Sequence, residues 1–261
     1  MVGFGSVLRR GVAAGAAAGL VAALVIWLAV EPVIRRALVI EDARGHAGGQ
    51  SAPIPALHAH GGGEELVTRT QQVIGGAVTS VLVGVAFGVI FAIVFAKARP
   101  RVPGASDFSR SIGLGAIAFG AVALLPTITM PANPPAVGDP ATVGRRTALY
   151  ALSVLLGAAI AVAVPMLDRW LAGRRVTDAT RWTVDILAVV AAVVLVVALL
   201  PGTPDAVPLD VPAALLWDFR IASLAQLAAM WLTLAVTFGL LLERATASGR
   251  APALERQPAA A

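Results

Sequence analysis

The chain has 261 residues, of which 58% are hydrophobic and only 13% charged, and its mean hydropathy is +0.83. A soluble domain carries about 25% charged residues, so this chain needs lipid to cover its apolar surface. It has no cysteine, which excludes disulfides, thiolate zinc sites and iron–sulfur clusters, and its net charge of +5 comes from short basic clusters between apolar runs, a pattern of membrane topology rather than of nucleic-acid binding.

Six stretches have the roughly 20 apolar residues that a helix needs to cross the hydrocarbon layer: 11–30, 73–96, 112–130, 147–166, 182–200 and 221–242. The fold expected is an all-α integral membrane protein of six transmembrane helices, arranged as three outward-facing helical hairpins. Residues 1–244 form a single polytopic membrane domain, and 245–261 a disordered cytoplasmic tail. The first stretch ends in Val30-Glu31-Pro32 rather than in a small-x-small cleavage site, so it reads as a retained helix and not a signal peptide. Between it and the second lies a loop, 31–69, that holds all three histidines. Counting Lys and Arg on each side gives thirteen against seven when both termini are inside, so the bias puts the termini in the cytoplasm and the histidine loop outside. Trp27 and Trp217 then fall near the outer interface and Trp170 and Trp182 near the inner one, while Trp231 sits mid-helix and fits no belt.

Small residues recur every four positions on the first helix (Gly11, Gly15, Gly19, Ala23) and the second (Gly76, Ser80, Gly84, Gly88), a spacing that lets helix backbones approach closely in lipid. The third and fifth apolar stretches both carry Ala-Leu-Leu-Pro, at Ala123–Pro126 and Ala198–Pro201. Each is followed by a proline-rich loop and then by arginine at the head of the next helix: Arg145 and Arg146, or Arg220. A cation at a helix N-terminus opposes the dipole, which calls for acidic partners. Glu31 is the first choice for Arg220, with Asp139, Asp205, Asp210 and Asp218 as others. Asp185, the one charge inside the fifth stretch, is expected to pair with Arg181 one turn before it. On the sixth helix Arg220, Ser223, Gln226, Met230, Thr233 and Thr237 form a polar stripe that faces either another helix or a water path.

The segment MPANPPAVGDPATVGRRTALY, residues 130–150, has four prolines within ten residues and cannot be helical at its start. With Val30-Glu31-Pro32, Arg69-Thr70-Gln71 and Leu216-Trp217-Asp218-Phe219-Arg220, it resembles the probable cobalt transporter subunit (CbtA) family, in the same order from near residue 29 to near 239. One departure is Thr129-Met130, where many members have Lys-Tyr. The resemblance implies a plasma-membrane protein, not an enzyme, that serves cobalt uptake for cobalamin synthesis. It also implies a small one-span partner with a histidine-rich tail (CbtB-like), with the lipid bilayer as the other partner and no nucleic acid.

Cobalt(II) and nickel(II) accept imidazole and carboxylate ligands. His58 and His60 point to one face of an extended segment, Glu64 and Glu65 follow a Gly-Gly-Gly hinge, and His46 lies across a Gly/Pro-rich span. These five residues are the expected metal ligands. Cobalt(II) or nickel(II) would be the transported ion, with no tightly bound cofactor. The expected mouth or path residues are Glu31, Asn133, Asp139, Arg146, Asp210, Asp218, Arg220 and Gln226. No GxxxxGK[ST] phosphate loop is present, so energy would come from a gradient, the membrane potential or a partner. Two other readings stay open: a membrane scaffold or assembly subunit for a metal-binding partner, and a transporter of an anion or corrinoid, the latter suggested by arginines at the outer helix starts.

Overall fold

The computed structural model describes residues 3–47 and 68–254, and among them there is helix but no strand. Six helices are long and apolar enough to cross a membrane: Phe4–Gly45, Arg69–Ala98, Asp107–Thr129, Pro140–Gly173, Asp178–Leu199 and Ala213–Thr246. The six expected spans are therefore present, but several run further than the apolar stretches. The first is the clearest case. Helix α1 (Phe4–Val25) passes through a π-helical turn, Ile26–Val30, into α2 (Glu31–Ala47). The loop expected from residue 31 is thus helical up to Ala47. The same device recurs in the third span, where α4 (Asp107–Phe119) leads through a π turn, Gly120–Leu124, to α5 (Leu125–Thr129). In both, the wider turn comes just before a proline, Pro32 or Pro126. A proline lacks an N–H and its ring crowds the carbonyl four residues back, and the looser π turn accommodates both. Ala-Leu-Leu-Pro thus continues as helix at Pro126, whereas at Pro201 the helix has already ended.

The other helices are α3 (Arg69–Ala98), α6 (Val143–Gly173), α7 (Asp178–Leu199) and α8 (Ala213–Leu254). Helix α3 starts at a capping box in which Thr68 and Gln71 each bond the other's backbone N–H. Helix α8 continues to Leu254, so the tail expected from residue 245 is helical for its first ten residues.

The chain divides into two compact units. One comprises Met1–Trp27, Val67–Ile117 and Gln226–Ala261, the other Leu28–Leu66 and Ala118–Ala225. In the first unit, α1 lies against α3 along the glycine stripes. Gly11, Gly15 and Gly19 face Gly88, Gly84 and Ser80 so closely that a methyl on Gly19 would stand 2.5 Å from Ser80 O and from Val81 Cα. Phe91 and Phe95 meet Phe238 edge-on at 5.3 and 5.1 Å, and Trp231 packs on Phe87 at 5.4 Å. That contact explains the tryptophan that fits no belt: Trp231 is buried, whereas Trp27, Trp170, Trp182 and Trp217 are all exposed as interfacial anchors should be. Ser111, fully buried, donates to the Ala235 carbonyl at 2.7 Å.

The second unit has an apolar core of Val33, Ala37, Val137, Val211 and Leu215, with Ile40 and Phe219 packed on it. Gly157 of α6 lies against Ala121, and a Cβ there would come within 2.8 Å of the Ala121 carbonyl carbon. Thr129 is buried and shares a hydrogen bond of 2.8 Å with Ser153. Helices α6 and α7 form a hairpin in which Arg181 binds Asp168 through Nε (2.8 Å) and Nη2 (2.9 Å) and Asp178 through Nη1 (3.0 Å). The Arg181–Asp185 bridge expected from the sequence therefore does not form. Asp185 Oδ1 is buried with no hydrogen-bond partner among the described residues.

Candidate functional site

The second unit carries most of the expected path residues, on α2, on the loops 130–142 and 200–212, and on the first turns of α6 and α8. Proline shapes the first loop. Pro134 is fully buried, Val137 N closes a turn onto Pro134 O at 3.2 Å, and Ala136 is held at φ +69°. An alanine in the left-handed region is strained by about 1–2 kcal/mol. Arg44, from the last turns of α2, offsets that strain by donating to Ala136 O at 2.7 Å, while its Nε and Nη2 each bind Asp210 at 2.6 Å. One side chain thus ties the helix to both loops. Asp210, given two charge-assisted hydrogen bonds by Arg44, is held below the usual carboxylate range.

Asp205 makes a second tie. Its side chain is only 1% exposed. Burial opposes its charge, but Thr142 Oγ1 (2.5 Å), the Asp139 amide (3.3 Å) and Arg146 Nη1 (2.9 Å) all donate to it and outweigh burial, so its pKa lies below the ordinary value. Asp139 turns its own carboxylate to the Ala141 amide, capping the short 3-10 turn Pro140–Thr142. Gly138, at φ +147°, leaves room for Arg146: a Cβ there would stand 2.9 Å from Nη1.

Arg220 donates to Asn133 Oδ1 at 3.2 Å and to Ala132 O at 3.4 Å, not to Glu31. The pairing first expected for it is corrected accordingly: the long second loop brings its own carbonyl and amide oxygens within reach of α8. Glu31 is buried and accepts from Arg35 one helical turn on, at 3.0 Å. Asp218 pairs with Arg36 at 2.8 Å. Gln226 belongs to the first unit, where it is half-buried on α8.

The structure therefore brings Asn133 to Arg220, and Asp139 to Arg146 through Asp205. Asp210 and Asp218 go to arginines of α2. Of the arginines that suggested an anionic cargo, Arg146 is taken up by the Asp205 carboxylate and Arg220 by loop oxygens, while Arg145 is exposed. Sequence reading missed the roles of Arg36 and Arg44 because α2 was read as loop, although Val33, Ala37, Ile40 and Arg44 already stand at helical spacing. A cleft of about 350 Å3 opens beside these ties. Met130, Asn133, Thr147, Tyr150 and Thr203 help line it, and Arg146 is the charged residue in its wall. Among the described residues no three His, Asp or Glu side chains are grouped as metal ligands. His46 lies in the last turn of α2, and His58, His60, Glu64 and Glu65 lie outside the described residues.

The sequence model of a family described as probable cobalt transporter subunit (CbtA) matches residues 4–243, which takes in five of the six spans whole and the sixth up to its last turn. The chain belongs to the CbtA family. Within it, the match covers both loops of the tied layer, the α2 arginines and the short capping turn. No curated protein and no solved structure matches this CbtA-family chain.

Proposed function

We propose that this chain is the membrane-embedded subunit of a cobalt(II) uptake transporter, acting in the plasma membrane with both termini cytoplasmic and serving cobalamin synthesis. The observation that carries the reading is the family match from residue 4 to residue 243 over a body of six spans. The tied loops of the second unit form the mouth, with Asn133, Arg146 and Arg220 fixed by their partners and Glu31, Asp139, Asp210 and Asp218 shaping it. The cleft there offers amide and hydroxyl oxygens, which suit a passing hydrated dication better than a tightly held one. Gathering of the ion falls to His46, His58, His60, Glu64 and Glu65, or to a small one-span partner with a histidine-rich tail.

One observation favours a second reading, a scaffold whose partner holds the metal: the carboxylates of the mouth are already engaged by arginines or by backbone N–H groups. Cobalt uptake separates the two. Cells lacking their own cobalt transport should accumulate radioactive cobalt when the chain and its partner are expressed. Proteoliposomes holding this chain alone should show slower but measurable entry if it conducts, and none if it is a scaffold. No uptake in cells with both proteins would remove the cobalt reading altogether.

A further inference from the structure

In the first unit, the end of α3, the start of α4 and the last part of the α8 span surround a polar cavity of about 420 Å3. Three spans reach the same membrane face here, so the cavity stands at the level of lipid headgroups. Its wall includes Arg99, Ser106, Asp107, Arg110, Glu243 and Thr246. Two of the four charges cancel. Arg99 binds the buried Asp107 through both Nε (2.7 Å) and Nη2 (2.5 Å). The other two are left over. Arg110 touches Asp107 at 3.5 Å through Nη1, and its buried Nε has no partner among the described residues. Glu243 is half-buried, and its carboxylate is in no ion pair among the described residues.

A buried N–H without an acceptor is disfavoured, and the half-buried Glu243 carboxylate has no protein donor among the described residues. One ligand would satisfy both if it carried an anionic oxygen and an ammonium group a few bonds apart. We propose that this cavity binds a phosphoethanolamine headgroup. The phosphate accepts from Arg110 and from the remaining N–H of Arg99, whose side chain is 38% exposed. The ammonium donates its N–H groups to Glu243. A choline headgroup has no N–H to give, and a glycerol headgroup has no cation, so the site discriminates among common phospholipids by hydrogen bonding rather than by net charge.

The test is native mass spectrometry of the delipidated full chain, titrated with phosphatidylethanolamine, phosphatidylcholine and phosphatidylglycerol of identical acyl chains. Phosphatidylethanolamine should bind about tenfold more tightly than either rival, a gap of about 1.4 kcal/mol. Glu243→Gln should bring it down to the choline level while leaving the other two unchanged, Glu243→Asp should keep part of the preference, and Arg110→Ala should weaken all three. Displacement by soluble O-phosphoethanolamine would make the free headgroup compound the ligand, and failure to displace would make it the intact lipid. Both support the recognition chemistry. Equal binding of the three lipids, or a preference untouched by Glu243→Gln in a variant that stays monodisperse, would overturn the proposal, because Arg110 and Glu243 would then simply neutralise each other.

Discussion

Asp205 shows what a single carboxylate does in this structure. Buried as it is, it would favour its neutral form, yet three donors from loop 130–142 and α6 hold its pKa below the ordinary value. A carboxylate of lowered pKa contributes stability that is fully present above its unfolded value, near 3.9, and that disappears as pH falls through the folded value. Asp205→Asn should therefore destabilise the protein at neutral pH. Arg146 loses its counter-ion, but its side chain is 31% exposed, so water takes over part of the interaction and the loss should be about 1–3 kcal/mol. Thermal unfolding in detergent would show it as a lowered midpoint. The gap from the natural protein should narrow as pH is lowered below about 4. A gap of constant size down to that range would mean that the charge of Asp205 contributes nothing.

Whole elements show which features a sequence states locally and which it does not. The glycine stripes of α1 and α3 were legible because their four-residue spacing is itself the packing rule, and the structure places Gly15 against Gly84 as that rule requires. Helix α2 was not legible in the same way. Glu31-Pro32 and the run of charged residues after it resemble a loop, but the π turn before Pro32 accommodates both the missing N–H and the crowding of the ring, and the helix carries on through it. The ties of the second unit were less legible still. Sequence supplied the arginines and the acids, but Arg44 meets Asp210 across 166 positions and Arg146 meets Asp205 across 59, and no local pattern records such choices. The metal-ligand set fell on residues of which all but His46 lie outside the described part. The stripes lend themselves to a paired substitution within one helix. Gly15→Ala drives a methyl into the Gly84 backbone, where neither chain can yield without parting the helices, and should cost at least about 1–3 kcal/mol. Gly5→Ala meets nothing within 4 Å and should stabilise α1 by up to about 1 kcal/mol. Folded yield after extraction should fall for the first and hold or rise for the second. Equal behaviour would mean that the close approach of α1 and α3 carries little of the stability.

For the molecule as a whole, the functional reading depends on which side of the membrane each loop faces. The absence of cysteine makes this measurable without background. Pro103 is exposed between the second and third spans and Leu209 is fully exposed between the fifth and sixth. Three spans separate them, so with six spans the two positions must face opposite sides, whatever the orientation. The thirteen-to-seven division of Lys and Arg puts Leu209 outside. In intact cells, a membrane-impermeant maleimide should label Leu209→Cys and leave Pro103→Cys unlabelled until the cells are opened. Both substitutions sit in loops, leave every charge in place and remove no hydrogen-bond donor, since proline has no N–H and leucine keeps its own in cysteine. Labelling of both, or of neither, in intact cells would break the six-span count. Labelling of Pro103→Cys alone would invert the protein, placing the 31–69 segment with His58 and His60 in the cytoplasm. Those histidines could then receive an ion that has already crossed but could not gather it from outside, and the uptake reading would have to give way to delivery or export.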